Sequence, residues 1–321
     1  MALYIARRLV WTGVVVLVVL LLTFAVVYLM PAGDPALRFA GKSPTPQSLE
    51  IVRERLGLDR PWYIQFGKYA EHFVAGDQYG WPGLGYSYVN NTSVLSTVEK
   101  RAPRTLLLIA GAALIWLVVG VTVGVISAVK RRTVIDRVAM GFTLFGISSP
   151  VFWLGLMALF IFWKKLNITG GTGYVSPTEN VGGFFSHMIL PWCVLALLYA
   201  ASYARMTRNN LLETLGEDYI RTARAKGLTE RQVILKHGLR ASLTPIVTMF
   251  GLDIALLVGG AIITESVFNI QGLGWLAIDG TLNQDLPVVL GVVMLGAVAV
   301  AVMNFLVDIA YAFLDLRVRY A

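Results

Sequence analysis

Six apolar runs alternate with polar ones along the chain: Leu9 to Met30, Thr105 to Val129, Val138 to Trp163, Met188 to Met206, Ile246 to Thr264 and Pro287 to Leu314. Crossing about 30 Å of hydrocarbon takes about 20 residues of helix, and each run approaches or exceeds that length. None alternates apolar and polar residues with a period of two. The runs therefore predict helices, which satisfy their own backbone hydrogen bonds in lipid, and not barrel strands. The expected fold is an all-α membrane protein with six transmembrane helices. Residues 1–30 form the first span, residues 31–104 a helical subdomain between spans one and two, and residues 105–321 a five-helix core. That core is interrupted by a polar stretch over residues 205–245.

Composition agrees with this class, since 56% of residues are hydrophobic and 14% charged, with a mean hydropathy of +0.67. The first run is longer than the apolar stretch of a secretion signal and lacks a small-residue cleavage site, so it is expected to stay as an anchor. A single cysteine, Cys193, excludes an internal disulfide and is expected to fill space inside the fourth span. The net charge of +8 is a matter of placement. Sixteen of the 27 basic residues flank the spans on one side: Arg7 and Arg8, the Lys130 to Arg137 turn, eight residues of the 205–245 stretch, and Arg317 with Arg319. The positive-inside bias puts that side, with both termini and the 205–245 stretch, in the cytoplasm, and makes residues 31–104 an extracytoplasmic subdomain, so the charge needs no nucleic-acid partner.

The 31–104 segment carries its own helix signals. Thr45 precedes Pro46 at a first helical position, Leu49, Val52 and Leu56 share a face, and Gly57 can end the helix. Trp62, Phe66, Tyr69 and Phe73 recur at three and four residues up to Gly76, which describes an amphipathic helix that packs on a neighbour or lies at the membrane interface. Tyr79 to Tyr88 reads as loop and Ser93 to Arg101 as a short helix leading to Pro103, where the second span begins. The NNTS beginning at Asn90 matches a glycosylation pattern of little specificity.

Motifs for chemistry within the chain are missing. The sequence contains no GxxxxGK[ST] phosphate loop, no HExxH and no GxSxG, and His72, His187 and His237 are scattered. Ionisable residues at membrane depth are costly, so function is sought there. Asp253, near the middle of the fifth run, faces either a cationic group of a translocating solute or a serine, threonine or asparagine of a neighbouring helix. Asp308 lies nearer the cytoplasmic end and is expected to be structural. Glu265, Asp279 and Asp285 fall at the outer end, where water is expected to solvate them. Ser148, Ser149 and Pro150 interrupt the third run, either lining a solute route or simply bending the helix. Gly111, Gly120, Gly124, Gly259 and Gly260 permit close helix approach, Gly120 and Gly124 as a GxxxG step.

The polar stretch contains EDYIRTARAKGLTERQVILKHGLRASLTPIV, and around it stand PAGDPA at Pro31, RLGLDRPW at Arg55, GDQYG at Gly76, RAPRTLLL at Arg101, SSPVFWLG at Ser148, ITESVFNIQGLG at Ile263 and LVDIAYAFLD at Leu306. In this order, over nearly the whole chain, these segments resemble the binding-protein-dependent ABC importer permeases, in their dipeptide, oligopeptide and nickel branch. Three departures stand out: Arg221, Thr222 and Ala223 where the general importer loop has Glu-Ala-Ala, Gln271 where the family usually has Pro, and Leu316 where a Pro often precedes the last arginine. The resemblance implies a type I importer fold without catalysis of its own, ATP and Mg being bound by partner ATPases. It implies a second homologous permease, two ABC ATPase subunits, an extracytoplasmic solute-binding protein and a peptide solute, with nickel or another small solute as the alternative and a secondary transporter as a more distant one. The polar stretch would then be a coupling element broken at Gly227, with Asp218, Tyr219, Arg221, Ala223, Arg224 and Ala225 near the ATPase groove, the arginines facing its acidic groups or anionic lipid. Asp253, Ser148 and Ser149 are the candidates for the solute path, and the cell membrane is the expected location.

Overall fold

The computed structural model describes residues 2–29, 34–39 and 45–314; Pro31, Leu316, Arg317 and Arg319 lie outside them. Helix α1 (Ala2–Phe24) passes into a wider π-helical turn, Ala25–Leu29. Short helices α2 (Pro35–Phe39), α3 (Pro46–Leu56) and α4 (Trp62–Ala75) follow. A two-residue antiparallel ladder then pairs β1 (Tyr86–Ser87) with β2 (Thr92–Ser93), inside and just after a stretch expected to be irregular. Next come α5 (Val94–Val129), α6 (Val134–Ser148), α7 (Val151–Ala158) with a π-helical continuation to Lys165, and α8 (Val181–Thr214). The polar segment holds α9 (Asp218–Ala225), α10 (Glu230–Gln232), a π-helical stretch Val233–Leu239 and α11 (Arg240–Ser242). Helices α12 (Thr244–Val258), α13 (Ile262–Phe268), α14 (Leu273–Leu282) and α15 (Leu286–Leu314) complete the chain.

Among the described residues four helices, those of the first, second, fourth and last apolar runs, are long and apolar enough to cross a membrane. Two bent pairs raise the number to six if each is one span: α6 with α7, and the α10–α11 run with α12. The third run is thus not a straight helix with a kink. Its halves meet at 103°, and the break falls where Pro150 has no N–H to donate and the residue before it, Ser149, is pushed into extended backbone (φ −86°, ψ 129°).

Three other boundaries differ from expectation. Helix α5 runs straight through Pro103; the ring is on an exposed face, as is Glu99, whose carbonyl the proline leaves unpaired, so solvent can replace the lost bond. Helix α8 continues through Arg205–Thr214, so the polar segment leaves the helix only at Leu215. The fifth run stops being helical at Val258, where Gly260 turns left-handed at φ +118°. A Cβ on Gly260 would stand 2.3 Å from Gly274 Cα, so backbone meets backbone there.

Packing divides the described residues into two compact units, Met1–Leu106 with Ala255–Ser266 and Ile270–Phe305, and Leu107–Ile254 with Val267–Asn269 and Leu306–Ala321. In the first unit, Val94 and Val98 of α5 pack with Leu273 and Leu276 of α14 and Val288 and Val292 of α15. A second cluster joins Val27 to Ala36, Phe39 and Val52. Phe24 stacks on Tyr28 at 4.7 Å and meets Phe66 edge-on at 5.5 Å, so the aromatic face of α4 packs on the first span. Trp62 and Tyr63 remain exposed. In the second unit the small residues of α5 admit α8. A Cβ on Gly120 would lie 2.6 Å from Tyr203 Cβ, one on Gly124 2.7 Å from the Ala204 carbonyl, and the Trp192 indole lies over Gly111. Cys193 faces outward from α8 and fills no interior space.

Candidate functional site

The polar segment folds as a small unit. Ile220 and Ala223 of α9 turn inward onto Val233, all three buried, and Gly238 fits against Leu211 and Leu215. That leaves Asp218, Tyr219, Arg221, Thr222 and Ala225 on the outer face of α9, every one exposed. Asp218 and Arg221 approach to 3.3 Å. Gly227 ends the helix at φ +76° with its N–H donating to the Arg224 carbonyl, and nothing stands within 4 Å of where a Cβ would be. Beyond it, Thr229 and Gln232 form a reciprocal capping box. Arg224 spans the turn to Glu230, donating at 3.1 and 2.7 Å. Two of the expected contact residues thus have other work: Ala223 is core, and Arg224 is held within the segment.

Below this unit lies an ion pair that the apolar pattern does not reveal. Arg208 of α8 donates Nε and Nη2 to the two carboxylate oxygens of Asp136 at 2.8 and 2.9 Å. Ser127 of α5 also donates to Asp136, and the Arg132 N–H does so at 2.9 Å. The carboxylate is 7% exposed and the guanidinium 20%. One group thereby ties α5, the left-handed turn at Arg132, α6 and α8. The only signal in the sequence is a lone acid among Arg131, Arg132 and Arg137.

Asp253 on α12 accepts from the Tyr203 hydroxyl of α8 at 2.7 Å through one carboxylate oxygen. Its other oxygen takes no hydrogen bond from the described residues, and the side chain is only half-buried. Beside it lies an aromatic cluster: Trp116, fully buried, stacks on Tyr199 at 4.7 Å and approaches Phe250 at 6.1 Å. The donor is a tyrosine rather than a serine, threonine or asparagine. Ser149 bonds back to the Phe145 carbonyl at 2.8 Å and Ser148 is exposed; no hydrogen bond among the described residues joins either to Asp253.

Glu265 and Asp285 are not solvated, contrary to the reading by depth. Glu265 is fully buried. It accepts from Thr105 Oγ1 at 2.7 Å and from the Trp275 N–H at 2.8 Å, while Thr105 accepts from the Leu273 N–H at 2.8 Å. Asp285 accepts from Ser87 and from Asn90 Nδ2. Gly272 sits inside the first knot, where a Cβ would be 2.2 Å from Thr105 Oγ1 and 2.8 Å from the Glu265 carboxyl. Gly272→Ala is therefore expected to destabilise the chain by about 1–3 kcal/mol through overpacking, read as a lower unfolding midpoint in detergent. An unchanged midpoint would show that the knot yields freely.

Residues 120–320 match the family described as binding-protein-dependent transport system inner membrane component, and residues 1–109 match the N-terminal membrane component of the same systems. A peptide transport system permease protein of Brucella abortus is 38% identical over 307 residues, 95% of each chain. A peptide ABC transporter permease protein of Sinorhizobium fredii is 36% identical over the full length of both, and a glutathione transport system permease protein of Escherichia coli 38% identical over 99% of each. Among solved structures, an inward-facing methionine ABC transporter superposes on 69% of this chain and 97% of its own with a TM-score of 0.56 at 21% identity, a likeness of fold.

Proposed function

The chain belongs to the binding-protein-dependent transport system inner membrane components, as an ABC importer permease subunit of the peptide type, and from that membership we propose which of its surfaces receive energy and solute. The polar segment, residues 215–242, lies in the cytoplasm and docks on an ABC ATPase. The observation that carries this is the outer face of α9, where Asp218, Tyr219, Arg221 and Ala225 stand exposed on a base packed by Ile220, Ala223 and Val233. A rigid base with a polar, solvent-facing surface can transmit a push from a partner. ATP and Mg belong to that partner, since the sequence has no phosphate loop. A second homologous permease, a second ATPase and an extracytoplasmic solute-binding protein complete the assembly. Both termini are cytoplasmic, which follows from the placement of basic residues.

The solute is a short peptide. Three scattered histidines and one cysteine are a poor ligand set for nickel, and the relatives above carry peptide or glutathione in their names. Asp253, half-buried beside Trp116, Tyr199 and Phe250 with one oxygen uncommitted, suits the ammonium group at a peptide N-terminus. The test is uptake of labelled peptides by vesicles holding the assembled transporter. Asp253→Asn is expected to slow uptake of a free-amine dipeptide about tenfold, equivalent to about 1.4 kcal/mol, and to leave its N-acetyl analogue unchanged. Equal slowing of both would remove Asp253 from amine recognition.

A further inference from the structure

In the second unit, the turn from α5 to α6 carries Lys130, Arg131, Arg132 and Arg137, all exposed, and none has a side-chain hydrogen bond or ion pair among the described residues. Asp136, the one acid of the turn, cannot neutralise them, because Arg208 and Ser127 hold its carboxylate. Val134, Ile135 and Val138 stand exposed among these cations. A surface that mixes unpaired cations with bare aliphatic side chains fits the boundary between lipid head groups and hydrocarbon, where each part meets its own solvent.

Along the same helices runs a groove of about 190 Å³ between α5, α6 and α8. Val119 and Val123 of α5, Phe142 of α6, and Cys193, Ala196 and Ala200 of α8 line it, with Val119 and Phe142 exposed at the rim. Thr143, also on its wall, donates its hydroxyl to the Met140 carbonyl at 2.8 Å, which leaves only the weak Cys193 thiol as a donor. Val123 lies seven residues before Lys130, about 10 Å of helix, and Ile115, at the groove's far end, fifteen residues before it, about 22 Å. Half of a bilayer with its head groups is about 20–22 Å thick. The distance from the cations to the end of the groove therefore matches one phospholipid. A free phosphate would answer the cations and leave the groove bare. A second copy of this chain at the same depth would bring four more cations toward this turn.

We propose that the α5–α6 turn and this groove hold one anionic phospholipid of the cytoplasmic leaflet, its phosphate among the four cations and an acyl chain between α5, α6 and α8. The inference rests on the cytoplasmic placement of the turn and not on the peptide reading. The held chain would join the same three helices that Asp136 ties together.

The experiment uses the assembled transporter in phosphatidylcholine nanodiscs doped with phosphatidylglycerol that carries a photoreactive diazirine in one acyl chain. Adducts are expected on residues 115–123, 142–143 and 193–204, reduced by excess unlabelled phosphatidylglycerol and not by glycerophosphoglycerol, which has the head group and no chains. Arg131→Gln/Arg137→Gln removes two exposed cations and is expected to weaken phosphatidylglycerol binding about thirtyfold. Val119→Trp and Cys193→Phe fill the groove from opposite sides, and each is expected to remove the adducts while leaving the basic turn intact. Equal labelling by a phosphatidylcholine probe, or unchanged affinity in the arginine variant, overturns the proposal. Competition by glycerophosphoglycerol as strong as by the whole lipid overturns it too, since that marks an anion site without a chain. So do adducts confined to other residues, the pattern expected if a second permease covers this face. No peptide enters the experiment, so each of these failures leaves the peptide reading standing.

Discussion

Replacing Arg208 with alanine is expected to cost about 3–5 kcal/mol of stability, the usual penalty for removing one partner of a buried pair. The magnitude comes less from the lost attraction than from what stays behind. Asp136, 7% exposed, would keep only Ser127 and the Arg132 N–H for a full negative charge. Asp136→Ala is expected to be as severe, since the guanidinium at 20% exposure would have no counter-charge at hand. The pair should therefore show strong coupling: the double variant Asp136→Ala/Arg208→Ala is expected to lose about as much as either single, not their sum. Unfolding midpoints of the four proteins in one detergent would decide it, and additive losses would mean that the two groups do not depend on each other. Because Arg208 sits less than two turns before α8 ends at Thr214, its loss should also loosen the base of α9.

How much of this could be read from the sequence depends on how local each cause is. Helices α1, α5, α8 and α15 follow from apolar length alone, since hydrocarbon thickness sets the length and any apolar residue serves. The break at Ser149–Pro150 was legible for the same reason, as proline acts on its immediate neighbours. The 103° angle was not, because neighbouring helices decide how far a broken helix turns. Proline misled at Pro103, where the missing bond faces solvent and costs little. Charge at depth misled more seriously. Glu265 and Asp285 looked solvated because they sit at the ends of runs, yet their partners Thr105 and Ser87 stand 160 and 198 residues away. The same limit hid Asp136, which is bonded to a residue 72 positions on. In α9, eight residues are too few for periodicity to tell the inner Ala223 from the outer Ala225.

Gly227→Val is expected to leave the protein inserted and folded while abolishing peptide-stimulated ATP hydrolysis by the assembled transporter. Gly227 holds φ at +76°, where a residue with a Cβ pays about 1–2 kcal/mol and a β-branched one more. Nothing stands within 4 Å of the new Cβ, so the damage is confined to the backbone turn. The Arg224–Glu230 pair across that turn cannot resist it. Both side chains are well exposed, 41% and 58%, and such pairs contribute at most about 1 kcal/mol. The turn would relax toward a right-handed conformation and redirect α9 relative to α10, displacing the Asp218, Tyr219 and Arg221 face without unpacking the spans. Asparagine tolerates the left-handed region, so Gly227→Asn is expected to keep most of the stimulation and Gly227→Ala an intermediate share. That ranking separates a requirement for backbone conformation from one for small size, because alanine is the smaller residue and asparagine the better fit to φ. Full stimulation in the valine variant would show that the left-handed turn is not needed for coupling. Loss in asparagine equal to that in valine would point instead to a partner surface packed directly against the glycine.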